Sequence, residues 1–202
     1  MQTSRLQQQM DFLVTIDKLK TVFRRNYVNA GERLENTAEH SWHAAMYAML
    51  LAEYANQTVD PCRVVQMLLI HDIVEIIAGD TYIYSAVDPA EQQQKEYAAA
   101  EQLFGLLPPD QGSALLALWH EFEDNQSADA QFAKSIDRFV PLLQNYHAEG
   151  KSWQENGIIR AQVEQNNLKV RVGSEDLWRY AQTVVEDAVR QGYLPAGKAS
   201  PS

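Results

Sequence analysis

The run LLIHDIVEIIAGDT, residues 68–81, constrains this chain more than any other, because His71, Asp72, Glu75 and Asp80 interrupt one of its most apolar stretches. Ionised carboxylates are costly to bury unless they are paired, hydrogen-bonded or bound to a metal. A chain that carries four titratable groups in a core-forming segment must fold so that something meets them there. The surrounding sequence indicates the kind of fold. Apolar residues recur at helical spacing and no run of alternating residues would build a strand, so the expected class is all-α.

Caps and breakers place the helices. A first helix is expected over residues 10–23, then a loop at RRNYVNAGERLENT, where Asn, Gly and charged residues interrupt the apolar period. A second opens near Asn36 or Thr37, and AEHSWHAAMYAMLLAEYA carries apolar residues around most of its circumference, as a central buried helix would. Asp60 and Pro61 supply an N-cap and a first helical residue for a third helix running to about Ala78, where Gly79 can end it. Further helices are expected over 90–107, 111–123 and 128–146, separated by LPPDQG and EDNQS. Residues 151–192 read as a C-terminal helical extension packed on the same domain. It comprises the rest of a polar loop at EGKSWQENG, a short helix at IIRAQVEQN and an amphipathic helix at SEDLWRYAQTVVEDAVRQGYL with Ser174 as cap. Residues 193–202 are expected to form a disordered tail.

With 202 residues and 46% hydrophobic content the chain can bury one core, and no Pro-, Gly- or Ser-rich linker divides it. Its 17 Lys and Arg against 27 Asp and Glu leave a formal net charge of -10, which argues against a surface that tracks nucleic-acid phosphates. A small anionic ligand would need a local positive site. The single cysteine, Cys62, excludes an intramolecular disulfide, and the N-terminus MQTSRLQQQMDFLV lacks a secretory pattern. No uninterrupted apolar run is long enough to span a membrane. The expectation is a cytoplasmic globular protein without nucleic-acid or membrane partners.

His71 and Asp72 are neighbours about 100° apart on a helix, yet both can reach one ion lodged beside it. Glu75, four residues beyond His71 and three beyond Asp72, lies on the same face one turn along, near such an ion without having to bind it. Mixed imidazole and carboxylate ligands suit Mn, Fe, Co, Ni or Zn, with Mg a further candidate, better than Ca, which prefers an all-oxygen shell. Other candidate ligands are His40 and His43 in AEHSWH, and Asp137 in FAKSIDRFV, where an acid interrupts a core-like helix face. Singly, each has an ordinary explanation as a hydrogen-bonded core histidine or a solvated aspartate. Their weight comes from occurring together.

The ordered set of His40, then His71 and Asp72, then Asp137 resembles the HD-domain superfamily of metal-dependent phosphohydrolases. ENTAEHSW, LLIHDIVEIIAGDT, LWHEFEDNQSADAQFAKSIDRF and PLLQNY look like the small subgroup that includes the bacterial 5'-deoxynucleotidases and their eukaryotic relatives, over residues 15–147. The resemblance implies an HD-domain helical bundle over residues 1–150, a divalent metal held by His40, His71, Asp72 and Asp137, and a homodimer. His43 competes with His40, but the family's first histidine directly follows Ala-Glu, as His40 does. Glu75 and Asp80 occupy the subgroup's catalytic positions. Asp80 would position the attacking water and Glu75 would help protonate the leaving hydroxyl, two roles that could be exchanged.

A phosphate needs cations in so acidic a chain, and the loop before His40 offers Arg24, Arg25 and Arg33. Arg33 matches a basic position of the subgroup, and Arg24 or Arg25 a phosphate-contacting arginine, so Arg33 and Arg25 are the expected substrate contacts. Characterised deoxynucleotidases carry a tryptophan next to that arginine, where this chain has Asn26. Lys134, one turn before Asp137, reads as solvated, Trp119 and Phe122 as core, His120 and His147 as surface or supporting groups, and Cys62 as structural. The implied activity is removal of phosphate from small nucleotides, 5'-deoxynucleoside monophosphates foremost. Two alternatives stay open: an HD hydrolase for another phosphate ester, such as a cyclic nucleotide or guanosine polyphosphate, and a non-catalytic metal-stabilised nucleotide-binding module.

Overall fold

The computed structural model describes residues 4–29, 31–85 and 88–197. Helix α1 (Arg5–Ile16), capped by the Ser4 hydroxyl, tightens into a 3₁₀ turn at Asp17–Thr21. The expected loop that follows contains a short antiparallel hairpin, β1 (Phe23–Tyr27) and β2 (Leu34–Asn36), with Phe23 opposite Asn36 and Tyr27 opposite Leu34. A three-residue strand whose buried side chain is Glu35 carries no hydrophobic alternation, so nothing in the periodicity marks it. Helix α2 (Thr37–Leu51) opens on a reciprocal capping box. The Asn36 side chain accepts from the Glu39 N–H at 3.0 Å, and the Glu39 carboxylate accepts from the Asn36 N–H at 3.2 Å. This helix is less enclosed than its sequence implies: His40, Ala44 and Ala48 are buried, while Trp42, Met46, Met49 and Leu50 stand exposed on one face.

Helix α3 (Pro61–Ile70) starts at Asp60, whose carboxylate accepts from the backbone of Cys62 and Arg63. It does not continue to residue 78. The backbone tightens into a 3₁₀ turn at His71–Val74, then makes one more helical turn, α4 (Glu75–Ala78), before Gly79. Side chains engage the carbonyls that an unbroken helix would use: His71 Nδ1 donates to Leu68 O at 2.8 Å, and the Trp119 indole donates to His71 O at 2.9 Å.

Helices α5 (Pro89–Phe104), α6 (Pro109–Asp124) and α7 (Ala128–His147) follow. The centre of the core is α7, which buries Phe132, Ala133, Ile136 and Val140 and packs on α2, α3 and α6. Past α7 the chain stays on that core. Helix α8 (Lys151–Glu155), where a polar loop was expected, buries Trp153. Val163 of α9 (Arg160–Asn167) and Val170 of α10 (Val170–Gly173) are fully enclosed. Helix α11 (Glu175–Gln191), capped by Ser174, buries Leu177, Ala181, Val184 and Ala188. Within residues 193–197, part of the expected tail, the chain is anchored at Leu194 and Pro195. Leu194 is 1% exposed, and Pro195 O accepts from the Arg160 N–H at 2.9 Å. Residues 198–202 lie outside the described residues. Among the described residues no helix is long and apolar enough to cross a membrane.

Candidate metal centre and active site

The first turn of α2, the 3₁₀ turn after α3 and the middle of α7 converge on one point. Asp137 Oδ1 lies 2.9 Å from His40 Nε2 and 3.5 Å from His71 Nε2. Asp72 Oδ1 lies 3.1 Å from His71 Nε2, and its Oδ2 4.0 Å from His40 Nε2. One ligand atom each from His40, His71 and Asp72 falls within 4.8 Å of the others. His43, half-buried between Trp42 and Tyr47, lies in another recess, so His40 is the histidine of α2 that faces the cluster.

The residues fit a divalent cation. Because His71 gives its Nδ1 hydrogen to Leu68 O, Nε2 is the nitrogen left facing the cluster; that buried atom has no hydrogen-bond partner, and on losing its proton it would offer a lone pair to a cation. Two imidazoles and two carboxylates form the mixed nitrogen and oxygen set that transition divalents favour. Burial works against charge on His71, yet the Asp72 and Asp137 carboxylates hold its pKa well above the usual value.

Arg24, on the inward side of β1, completes the charge balance. Its Nη1 donates to Asp72 Oδ2 at 2.9 Å and lies 3.9 Å from Asp80 Oδ1, while its Nε lies 3.7 Å from Glu35 Oε2. Burial opposes its charge, and Asp72, Glu75, Asp137 and Asp80 outweigh that effect. Glu35, which the sequence reading missed, is 2% exposed, accepts from the Gln144 amide and lies 3.6 Å from His40 Nδ1. At that distance the contact is electrostatic rather than a hydrogen bond, and neither His40 Nδ1 nor Glu35 Oε2 has a hydrogen-bond partner.

Glu75 and Asp80 join the cluster from opposite ends of α4. Thr37 Oγ1 donates to Glu75 Oε2 at 2.9 Å. Burial, then the Asp72 charge, push the Glu75 pKa up to about 9, against the opposing pull of Arg24. Asp80 is also raised by burial, again opposed by Arg24. Gly79 between them adopts φ +77° and ψ 156°, a conformation close to glycine-only, and turns the chain so that Asp80 faces back into the site.

The arginines fall differently from expectation. Arg25 lines the adjoining cavity from an exposed position, its guanidinium 5.3 Å from the Tyr82 ring centre. Arg33 does not reach that cavity: it makes two 2.8 Å bonds to the Glu39 carboxylate, is exposed, and lines a different recess with His43. The alternation of β1 decides this by turning Arg24 inward, whereas Arg33 lies beyond the hairpin turn next to the cap of α2. Arg138, also missed, lines the cavity and has no carboxylate partner among the described residues. Lys134 is paired with Glu123 at 3.2 Å.

The HD domain family profile matches residues 16–178. The chain belongs to the HD-domain family. Among its relatives, 5'-deoxynucleotidase HDDC2 of Dictyostelium discoideum is 29% identical over 159 residues, covering 76% of this chain and 84% of that protein. The Homo sapiens protein of the same name is 32% identical over 136 residues, covering 67% of this chain and 65% of its own length. A crystal structure described as a predicted metal-dependent phosphohydrolase from Magnetospirillum magnetotacticum MS-1 superposes with TM-score 0.89 at 51% identity, over 95% of this chain and 96% of that one. HD-domain membership implies a divalent metal, and His40, His71 and Asp72 are placed to bind one.

Proposed function

We propose that this HD-domain protein is a metal-dependent phosphohydrolase that removes phosphate from small nucleotides, 5'-deoxynucleoside monophosphates foremost, in the cytoplasm. The observation that carries the reading is the convergence of His40, His71, Asp72 and Asp137 with Arg24, Glu75 and Asp80 in one cluster, from which Arg24, Asp80 and Asp137 line the adjoining cavity. A bare structural metal site has no use for Glu75 and Asp80, which favours catalysis over a binding module. The names carried by the HDDC2 relatives favour deoxynucleotides over cyclic nucleotides or guanosine polyphosphates.

His40, His71, Asp72 and Asp137 would hold the metal, which when bound polarises a phosphoryl oxygen and lowers the pKa of water near it. Native candidates are Mn, Fe, Co, Ni and Zn, with Mg after them. Arg24 offsets the dianionic charge of the phosphate, with Arg25 at the exposed side of the cavity. Asp80, whose charge Arg24 favours against the opposing effect of burial, orients the attacking water and takes its proton. Glu75 keeps its own proton at neutral pH and delivers it to the leaving ester oxygen. The exposed Trp42, Met46, Met49 and Leu50 face of α2 supports a homodimer, which light scattering on the purified protein tests. Metal analysis of protein purified without chelator, followed by a phosphatase panel of deoxynucleotides, ribonucleotides, cyclic nucleotides and guanosine polyphosphates, tests the activity. Absence of bound divalent metal together with no hydrolysis of any ester with added Mn, Co, Mg or Zn would overturn it.

A further inference from the structure

The cavity beside the metal cluster is walled partly by the segment that follows α7, and its lining holds three buried side-chain oxygens without partners, the Tyr82 hydroxyl and two amide oxygens. Asn145 of α7 and Asn167 of α9 both line it and are 5% and 6% exposed. Each has its amide nitrogen committed. Asn145 Nδ2 donates to Pro141 O at 2.9 Å and to Asn26 Oδ1 at 3.2 Å, and Asn167 Nδ2 donates to Val163 O at 2.9 Å. The two side-chain oxygens accept nothing. A buried polar atom left unpaired costs roughly 1–3 kcal/mol, so two of them lining one cavity mark a place for a ligand that brings donors. The oxygens of a phosphate dianion are acceptors and cannot serve. A hydroxyl can.

Size and connectivity narrow the choice. The cavity measures about 90 Å³, less than the roughly 150 Å³ that admits benzene, so it suits the edge of a sugar rather than a nucleobase. In a 5'-monophosphate the sugar is joined directly to the phosphate, and Arg24 and Asp137 line this same cavity. A 2'-deoxyribose carries one free hydroxyl, at the 3' position. Resting on the deoxynucleotide reading above, we propose that the side-chain oxygens of Asn145 and Asn167 receive the substrate's 3'-hydroxyl, whose single hydrogen is shared between them, and that both are specificity-determining residues. The segment after α7 thereby supplies part of the substrate site, with Trp153 of α8 as its apolar backing.

The test compares thymidine 5'-monophosphate with its 3'-deoxy analogue on the metal-loaded protein. In the wild type, kcat/KM is expected to fall about tenfold or more when the 3'-hydroxyl is removed, chiefly through KM. In Asn145→Leu and Asn167→Leu that ratio should shrink toward one, because the variants lose the preference rather than activity on the analogue. A merely structural role would lower both substrates alike and leave the ratio intact, which overturns the assignment. Equal kcat/KM for the two substrates in the wild type also overturns it while leaving the nucleotidase reading standing. Hydrolysis of neither substrate overturns that reading and this assignment together. Should one variant fail to fold, the other and the wild-type comparison still decide.

Discussion

His71 presents Nε2 to the cluster only because Leu68 O holds the opposite ring nitrogen. Replacing His71 or Asp72 by alanine should abolish stoichiometric divalent metal and lower the melting temperature, since the remaining buried ligands lose their neutralising ion. His43→Ala should keep the metal; elemental analysis distinguishes the outcomes. Glu75→Gln and Asp80→Asn should retain metal but lose about 10²-fold or more in turnover, measured under saturating substrate. Glu75 also carries a pH signature. The unfolded chain releases its proton near the ordinary 4.5, whereas the folded chain keeps it to about 9, so in metal-free protein this group costs increasing stability as pH rises between those values. Metal-free Glu75→Gln should therefore melt higher than wild type at pH 8, and an equal or lower melting temperature would refute the shift. Arg24→Gln should raise KM for a nucleotide monophosphate, while Arg33→Glu should leave KM unchanged, because Arg33 is exposed, bonded to Glu39 and the Leu34 carbonyl, and outside the cavity lining.

At the scale of elements, the helices that carry the candidate ligands were legible because each has recognisable caps: Asn36 and Glu39 before His40, Asp60 before His71, Ser127 before Asp137. The hairpin was not legible. Its inward residues are Arg24, Asn26 and Glu35, polar groups whose burial depends on α2 and α7. The break of the third helix at His71 was also hidden, since it follows from Trp119, 48 residues away, donating to the His71 carbonyl. Gly79 is the hinge of this region. With no neighbour within 4 Å of an added Cβ, Gly79→Ala has steric room, so its cost of about 1–3 kcal/mol would be conformational. Turnover should fall more than metal content as Asp80 moves; calorimetry and kinetics on the same sample check both.

Over the whole molecule, residues 151–197 share the core of the preceding helices. Gly173 lies so close to α7 that an added Cβ would come within 2.3 Å of the Gln131 carbonyl and 2.5 Å of Ser135 Oγ. Gly173→Val should lower the unfolding free energy by about 1–3 kcal/mol, and truncation after residue 150 should abolish a single cooperative melt by circular dichroism. A truncated chain that melts as sharply as wild type would show the extension to be dispensable. The sequence by itself determined the helical class and singled out His40, His71, Asp72, Glu75, Asp80 and Asp137 as candidates, because helical period, capping chemistry and the cost of burying charge act over a few residues; their assignment as ligands and catalytic groups rests on the family resemblance. Tertiary structure alone decided which arginine faces the cluster, where Glu35 stands and what walls the cavity. Those outcomes depend on strand alternation and on contacts between residues more than a hundred positions apart, as between Glu35 and Gln144. No local pattern encodes which of several polar groups will be the one enclosed.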